Sequence, residues 1–575
     1  MLTKLVIRNF KLFDEVAVEL GQRVVFIGPN NAGKTSALQA LALWDAGVKQ
    51  WLEKRGGTDV PVQRSGVTIN RRDLIAVPVP EANLLWRNLH VREGSRVDGK
   101  VRTQNVRIEI GVEGVDQGKV WDCTLEFDYA NPESFYCRPP KKGGGAQRAE
   151  VPMHLQEHRL AYLPPMSGLS PHEVRMEMGA IRVRLGEGRT AEVLRNLCWQ
   201  VLESENGEER WKKIAEQIQS LFGARLNEPR YIKERGEVVM DYHTRDGITL
   251  DLSASGRGQQ QTLLLLAHMA VHPGAVLLLD EPDAHLEILR QRQIYQMLTE
   301  QAESTGSQII AASHSEVILN EAADRDVVIA FVGKPHRIDD RGGQVRKALR
   351  DIGFEHYYLA EETGWVLYLE GSTDLAMLQG LAKRLEHQSA QRVLERPFVH
   401  YVANQPSKAK EHFYALREAK PDLIGIAIFD RLDAPLPNDP AFECRMWKRR
   451  ELENYLCQRE TLLSFAERAG TTAEQLEIIG QGWRDAMAQS INEVENALKT
   501  LGEDPWGAEV KASDKFFVPV FKRFYEKLQL PNLMSKTNYH ELAAFVPKEA
   551  IDAEIGEALD AIVGVAGRAK PRSST

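Results

Sequence analysis

Val24-Val25-Phe26-Ile27-Gly28-Pro29-Asn30-Asn31-Ala32-Gly33-Lys34-Thr35-Ser36 decides how the first half of the chain is read. Four apolar residues suited to a buried strand run into Gly-x-x-x-x-Gly-Lys-Thr, and a helix-prone stretch from Ser36 to Leu43 follows. Glycines in such a loop let successive backbone N–H groups face phosphate oxygens, and the helix start adds positive potential. Lys34 is then placed to reach the outer phosphates and the Thr35 hydroxyl to ligate Mg²⁺, with Gly28, Asn30, Gly33 and Ser36 completing the cradle. A glycine loop can arise by chance, but here a strand precedes it and a helix follows. The segment predicts ATP bound with Mg²⁺.

Further along, Val276-Leu277-Leu278-Leu279-Asp280-Glu281-Pro282 is an apolar strand that ends in two acids, as suits the centre of a parallel sheet. Asp280 is assigned to the metal and Glu281 to orienting the attacking water. Between the two motifs, Leu252-Ser253-Ala254-Ser255-Gly256-Arg257-Gly258-Gln259-Gln260-Gln261 opens an apolar helix. Ser and Gly at a helix mouth again form a nest for phosphate. Downstream, Gln308-Ile309-Ile310-Ala311-Ala312-Ser313-His314-Ser315 is another buried strand, whose His314 could contact the terminal phosphate.

The order of these four motifs resembles the ABC-type ATPase head in its RecF/SMC-like branch, over residues 1–48 and about 225–335. The opening Leu5-Val6-Ile7-Arg8-Asn9-Phe10-Lys11 also looks like that branch's first strand. The resemblance implies a homodimer in which Ser255, Gly256 and Gly258 face the nucleotide of a second copy. The signature departs from Leu-Ser-Gly-Gly-Gln, which leaves open which serine touches phosphate, and no glutamine loop is placed. SMC-like proteins carry a long heptad arm between the P-loop and the signature. The insert here, about 49–225, is too short and too broken for one, with Lys141-Lys142-Gly143-Gly144-Gly145 and Leu163-Pro164-Pro165 interrupting it. β-like alternation at Val106–Ile110 and a helical stretch near Thr190–Phe222 are expected instead.

At 575 residues the chain is too long for a single core. Hydrophobic residues at 43% and charged residues at 27% describe an ordinary soluble protein, and no apolar run is long enough to span a membrane. Five scattered cysteines suggest neither a disulfide framework nor a zinc site, which fits a reducing cytoplasm. A net charge of −8 excludes a surface that is basic throughout but not a local basic groove. Residues 49–107 carry twelve Lys/Arg against six Asp/Glu, with Trp86 among Arg71, Arg72, Arg87 and Arg92. They read equally as a nucleic-acid patch or as a solvated face.

A domain boundary is expected near residue 335, at Gly333-Lys334-Pro335 and Asp339-Asp340-Arg341-Gly342-Gly343. Beyond it, Trp365-Val366-Leu367-Tyr368-Leu369-Glu370-Gly371-Ser372-Thr373-Asp374 delivers Glu370 to a strand tip, and Asp374 opens an amphipathic helix. After a strand at Phe398 to Val402, Leu423-Ile424-Gly425-Ile426-Ala427-Ile428-Phe429 ends at Asp430, with Asp433 close behind. Parallel strands put their C-terminal tips on one edge, so Glu370, Asp430 and Asp433 can converge. Three acids so placed repel unless a cation neutralises them, and oxygen donors suit Mg²⁺ or Mn²⁺. Helix capping is the competing account, most of all for Asp374. In Trp447-Lys448-Arg449-Arg450-Glu451-Leu452-Glu453-Asn454-Tyr455-Leu456, read as a helix, Glu453 could ligate a second metal while the three basic residues hold a phosphate backbone.

Glu-Gly-x-x-Asp followed by a strand with paired acids resembles the Toprim fold, although Asp430-Arg431-Leu432-Asp433 is one residue longer than the usual Asp-x-Asp. An ABC-type head followed by a Toprim domain is similar to the OLD (overcoming lysogenization defect) family of ATP-dependent nucleases. It also resembles anti-phage systems of the Gabija, retron-associated and PARIS type. Glu451-Leu452-Glu453-Asn454-Tyr455 leans towards the last, a group whose target class is RNA, tRNA in particular.

The fold class expected is α/β. It comprises an ABC/RecF-like head over 1–335, a Toprim-like parallel domain over 360–460, a helical region over 461–563 and a disordered basic tail over 564–575. The resemblance implies an ATP-regulated, metal-dependent endonuclease that works as a homodimer or higher homo-oligomer on DNA or RNA. It leaves room for a separately encoded defence partner. The competing class is a sensor or scaffold ATPase whose Toprim domain is inactive. A topoisomerase or primase is weaker, for want of a strand-breaking tyrosine module or a zinc module.

Overall fold

A computed structural model describes residues 1–56, 66–97, 100–141, 148–323, 325–338, 352–433, 435–436, 439–469 and 477–571. The run 142–145, the boundary at 339–343 and the terminal residues 572–575 lie outside the described residues. The chain forms two compact units, Met1–Arg346 with Ser573–Thr575, and Lys347–Arg572.

Two six-stranded sheets build the first unit. One runs in the order Leu160–Leu163, Val276–Asp280, Gln308–Ser313, Arg23–Ile27, Val327–Ala330 and His336–Arg337, and its first five strands are parallel. Every residue of Val276–Asp280 and of Gln308–Ser313 is buried, because helices or the second sheet cover both faces. The second sheet is antiparallel, in the order Phe13–Glu19, Leu2–Phe10, Arg107–Asp116, Lys119–Asn131, Ser134–Arg138 and Val67–Asn70. Its central hairpin turns through Gln117 and Gly118, both at positive φ (45° and 78°), the geometry that matches strand twist in a two-residue loop.

The helix Lys34–Arg55 packs between these layers in a core that includes Leu38, Leu41, Trp44, Phe127 and Leu278. On the other side, helices Leu194–Glu203, Gly207–Phe222 and Arg257–Val271 share a core with Leu277 and Leu279.

The expected insert is therefore not an appendage. Arg107–Asp116 pairs with the N-terminal strand and carries the next two strands with it, and Leu160–Leu163 supplies a strand of the nucleotide-binding sheet beside Val276–Asp280. Within the basic stretch the singled-out residues divide: Arg72 and Arg92 are exposed, the others are engaged. Trp86 is 1% exposed and donates to the Val106 carbonyl, while Arg71 pairs with Glu133 and Arg87 with Asp14.

The second unit holds a four-stranded, all-parallel sheet in the order Val399–Tyr401, Trp365–Leu369, Ile424–Phe429 and Phe442–Met446. Alternate residues feed two cores: Leu367, Leu369, Ile426 and Ile428 on one face, Val366, Tyr368, Ala427 and Phe429 on the other. The first core continues into the C-terminal helices through Ile491, Phe517, Phe521, Phe524, Leu559 and Ile562. The helical region expected over 461–563 thus completes the sheet's own core.

The disordered tail expected over 564–575 does not begin at 564. Helix Ala553–Arg568 runs through it because Val565 is buried against that core. Trp447–Leu456 is likewise not a helix: bends lead into a single 3₁₀ turn at Leu452–Tyr455. Among the described residues no helix is long and apolar enough to cross a membrane.

Truncating Phe521 to Ala should destabilise the second unit by about 3–5 kcal/mol. Differential scanning calorimetry should show its transition fall while that of the first unit stays put.

Candidate functional site

The P-loop lies between the strand Arg23–Ile27 and the helix Lys34–Arg55. Asn31 (φ 62°) and Gly33 (φ 101°) take left-handed conformations. A Cβ on Gly28 would meet the Phe331 carbonyl at 2.7 Å, so only glycine fits there. Lys34 is buried and its ammonium donates to the Gly28 and Pro29 carbonyls at 2.7 and 2.8 Å. Burial lowers its pKa while the charges of Glu281, Asp280 and Asp283 oppose that shift. Asn30 and Thr35 are exposed at the loop surface and Ser36 is half-buried.

Asp280 stands at the tip of its strand and accepts from the Thr35 hydroxyl and from the Tyr162 hydroxyl, both at 3.1 Å. Burial pushes its carboxyl up to about 6. Tyr162 was not singled out from sequence. It sits on the neighbouring strand, in register with Leu278, and its phenol is the second anchor of the acid. Glu281 is half-buried in a left-handed conformation (φ 48°), with its N–H bonded to the Ala312 carbonyl at 2.8 Å. Strain of this kind costs on the order of 1–3 kcal/mol and re-aims the side chain away from the strand direction. His314 is exposed beyond its strand; burial raises the pKa of the nearby Asp283, a shift that the Ser313 hydroxyl and, more weakly, His314 oppose. These oxygen donors and the lysine fit ATP with Mg²⁺: Lys34 for the outer phosphates, Thr35 and Asp280 for the ion.

At the signature, helix Arg257–Val271 starts from Gly256, which is exposed with nothing near its would-be Cβ. The Ser255 hydroxyl turns inward to the Leu252 carbonyl at 2.7 Å, and Gln260 braces the Ser255 carbonyl at 2.9 Å. Gly258 packs against His285 and Leu286, which ties the signature to the segment after Glu281.

In the second unit the acids gather at the C-terminal edge of the parallel sheet. Glu370 is exposed at the rim, while Asp374, Asp430 and Glu453 are half-buried. Burial, then the charge of Glu370 within hydrogen-bonding reach, raises the Asp430 carboxyl far above the usual carboxylate range. Burial and the neighbouring acids push Glu453 to about 8; burial pushes Asp374 to about 6. Asp374 also accepts the Gly371 N–H at 3.0 Å, so capping and membership of the cluster coexist in one side chain.

Asp433 lies outside this group. It is exposed in the loop, and its charge acts on Arg431. The extra residue between Asp430 and Asp433 carries the second acid past the sheet edge.

Glu451, next to Glu453 in sequence, has a different task. It is 3% exposed and accepts the Ser513 N–H at 2.5 Å, while Asn454 donates to the Val510 carbonyl at 2.9 Å. Together they clamp the chain around 510–513 beneath the turn that presents Glu453. Of the three bases, Arg449 is engaged with Asp552 and the Tyr455 ring, whereas Lys448 and Arg450 are exposed. The donor set is all carboxylate oxygen and not closed into a tight cage, which suits a hard cation that keeps some water ligands.

Two family models match parts of the chain. One, described as "AAA ATPase domain", matches residues 1–46, and the other, "AAA domain, putative AbiEii toxin, Type IV TA system", matches 192–320. Over these two stretches the first unit matches AAA-type ATPase domains. No curated protein matches the chain. Similar solved structures include the SMC head domain from Thermotoga maritima, at 13% identity and TM-score 0.32, over 59% of this chain and 98% of that one. Another is an Smc head bound to the C-winged helix domain of ScpA, at 13% identity and TM-score 0.34, over 59% and 97%. A third is an Smc head with an extended coiled coil bound to the C-terminal domain of ScpA derived from Pyrococcus furiosus, at 13% and 0.33, over 59% and 96%.

Lys34→Ala should abolish ATP binding measured by fluorescent-nucleotide titration. Tyr162→Phe should keep binding and lower hydrolysis roughly tenfold, the cost of one hydrogen bond to a charged acceptor.

In the second unit, carboxyls raised to about 6 and about 8 hold protons near neutrality that an incoming cation must expel. Mg²⁺ or Mn²⁺ binding should therefore release protons and tighten as pH rises from 6 to 9. Calorimetry in buffers of different ionisation enthalpy measures both, and Glu453→Gln should flatten the pH dependence.

Proposed function

We propose that the chain is an ATP-governed, metal-dependent endonuclease of the OLD type, with a Toprim-like second unit, acting on nucleic acid in bacterial anti-phage defence. The observation that carries this reading is the approach of Glu370 and Asp430, sixty positions apart in sequence, beside Asp374 and Glu453. Such a costly concentration of acid is what a divalent ion neutralises. Glu370, Asp430, Asp374 and Glu453 would hold Mg²⁺ or Mn²⁺, which when bound activates water and stabilises the leaving oxygen of a phosphodiester. Lys448 and Arg450 extend into solvent, where they meet backbone phosphates. The AbiEii description of the family model that matches 192–320 is in keeping with a defence role.

ATP acts on a dimer in this reading. Gly256 and Gly258 at the signature helix start face the nucleotide of a second copy, while Ser255, expected to do so too, turns its hydroxyl inward and fixes the loop behind them. Ile288 and Leu289 support it: they follow Leu286, the neighbour of Gly258, and are 71% and 78% exposed. Nucleotide that bridges two heads then shifts the equilibrium between two arrangements of the chain. A cytoplasmic location and a separately encoded partner fit the same role.

A second reading, an ATPase sensor or scaffold with an inactive Toprim unit, is favoured by the exposure of Asp433 away from the other acids.

Plasmid, linear DNA and tRNA incubated with the purified chain in Mg²⁺ or Mn²⁺, with and without ATP, separate these readings. The nuclease reading expects cleavage of at least one substrate and its loss in Glu370→Ala. If no substrate is cut and Glu370→Ala or Asp430→Ala leaves function in cells intact while Lys34→Ala abolishes it, the scaffold reading stands instead. Leu289→Glu should hold the ATP-bound chain as a monomer in analytical ultracentrifugation while leaving nucleotide binding unchanged.

A further inference from the structure

Three histidines from three separate elements meet on the opposite core face of the second unit's sheet. His356 lies on helix Phe354–Thr363, His400 on edge strand Val399–Tyr401 and His412 on helix Pro406–Ala419. One ring nitrogen from each lies within 4.8 Å of the others, and all three side chains are half-buried, so solvent reaches them. Among the described residues no other group of three or more His, Cys, Asp or Glu side chains closes to that distance.

His356 Nδ1 and His412 Nε2 are 2.9 Å apart. Two imidazole nitrogens at that separation share a proton, and a bound cation would take its place with the pair at about 3.3 Å, given Zn–N bonds of about 2.0–2.1 Å. The far nitrogen of His412 is fixed too, because its Nδ1 lies 2.8 Å from the Tyr368 hydroxyl. Such an outer hydrogen bond sets the tautomer of a ligating imidazole and leaves Nε2 as the donor to metal. The His400 and His412 rings stack at 3.8 Å and 9°. Sharing an ion requires the His400 ring to turn about its soft terminal torsion, which its half-exposed position on the edge strand allows.

We propose that His356, His400 and His412 form a binding site for a divalent cation of the Zn²⁺ class, with a fourth position left to water. Imidazole nitrogen selects this class of ion, whereas the carboxylate edge selects Mg²⁺ or Mn²⁺, so one unit holds two sites of different softness. The site would brace the place where Glu370 sits. His400 is in register with Tyr368, two residues before Glu370, and the Ala403 N–H just past the same strand bonds the Glu370 carbonyl at 3.2 Å. The proposal stands on the three histidines and holds whether or not the acids cut nucleic acid.

The test uses the full-length chain without an affinity tag, stripped of metal and titrated with Co²⁺ and then Zn²⁺. One Co²⁺ per chain should give the visible absorption of a nitrogen-ligated tetrahedral ion, displaced by Zn²⁺ and not by millimolar Mg²⁺. Glu370→Gln should keep this signal, His400→Gln should lose it, and Tyr368→Phe should weaken binding by about tenfold. Zn²⁺ should raise the melting temperature of the wild type and not that of His400→Gln. X-ray absorption on the Zn²⁺-loaded wild type, which depends on no variant folding, should report about three nitrogen neighbours near 2.0 Å. Absence of stoichiometric Co²⁺ binding, or equal binding by wild type and His400→Gln, would overturn the proposal and leave a proton-sharing stack of rings.

Discussion

Negative charge crowded where water is scarce is the condition to which both units answer. A parallel sheet buried on both faces has polar ends only at its strand tips, so its functional acids are forced to one edge. In the first unit that edge carries Asp280, Glu281 and Asp283, and the chain meets the cost with a lysine, two hydroxyl donors and a strained backbone. In the second unit the lysine within reach, Lys511, pairs with Asp514 and Glu451 and lends only part of its field to Glu370. The acids there retain protons, and a cation is the charge that would release them.

The two answers account for the different behaviour of similar motifs. Lys34, bonded to the carbonyls of its own loop, helps to hold the P-loop in shape. Asp280 is steadied from two sides, by Thr35 on the P-loop helix and by Tyr162 on the neighbouring strand, which links metal ligation to the sheet's own register. Around the carboxylate edge the scaffolding lies instead in sequence neighbours of the acids. Glu451 and Asn454 bind the 510–513 segment so that Glu453, between them, is presented upward.

Much of this was legible in the residues alone, for a physical reason. Runs such as Val276–Asp280 and Trp365–Glu370 are continuous apolar stretches with an acid at the end, and burial on both faces permits little else. What escaped depends on partners far away in the chain. Tyr162 meets Asp280 across 118 positions, and nothing in Leu160–Leu163 announces a functional phenol. Glu451 and Glu453 look alike in sequence, and only the fold sends one inward to Ser513 and the other towards the acids. The integration of residues 107–138 into the N-terminal sheet was missed because alternation such as that at Val106–Ile110 marks a strand without naming its distant partner. The helix ending at Arg568 was taken for tail because glycines and a basic end masked Val565, whose burial holds the helix down.

The last helix, Ala553–Arg568, has a bearing on biogenesis. Ile555, Leu559, Ile562 and Val565 complete the apolar layer under the carboxylate sheet, and Glu554 holds the Lys448 N–H at 3.0 Å beside it. Translation delivers these residues long after everything the ATPase sheet needs has emerged. Nascent chains therefore own a finished nucleotide site before they own a finished carboxylate edge. A polypeptide interrupted late in synthesis would be left with the first and without the second.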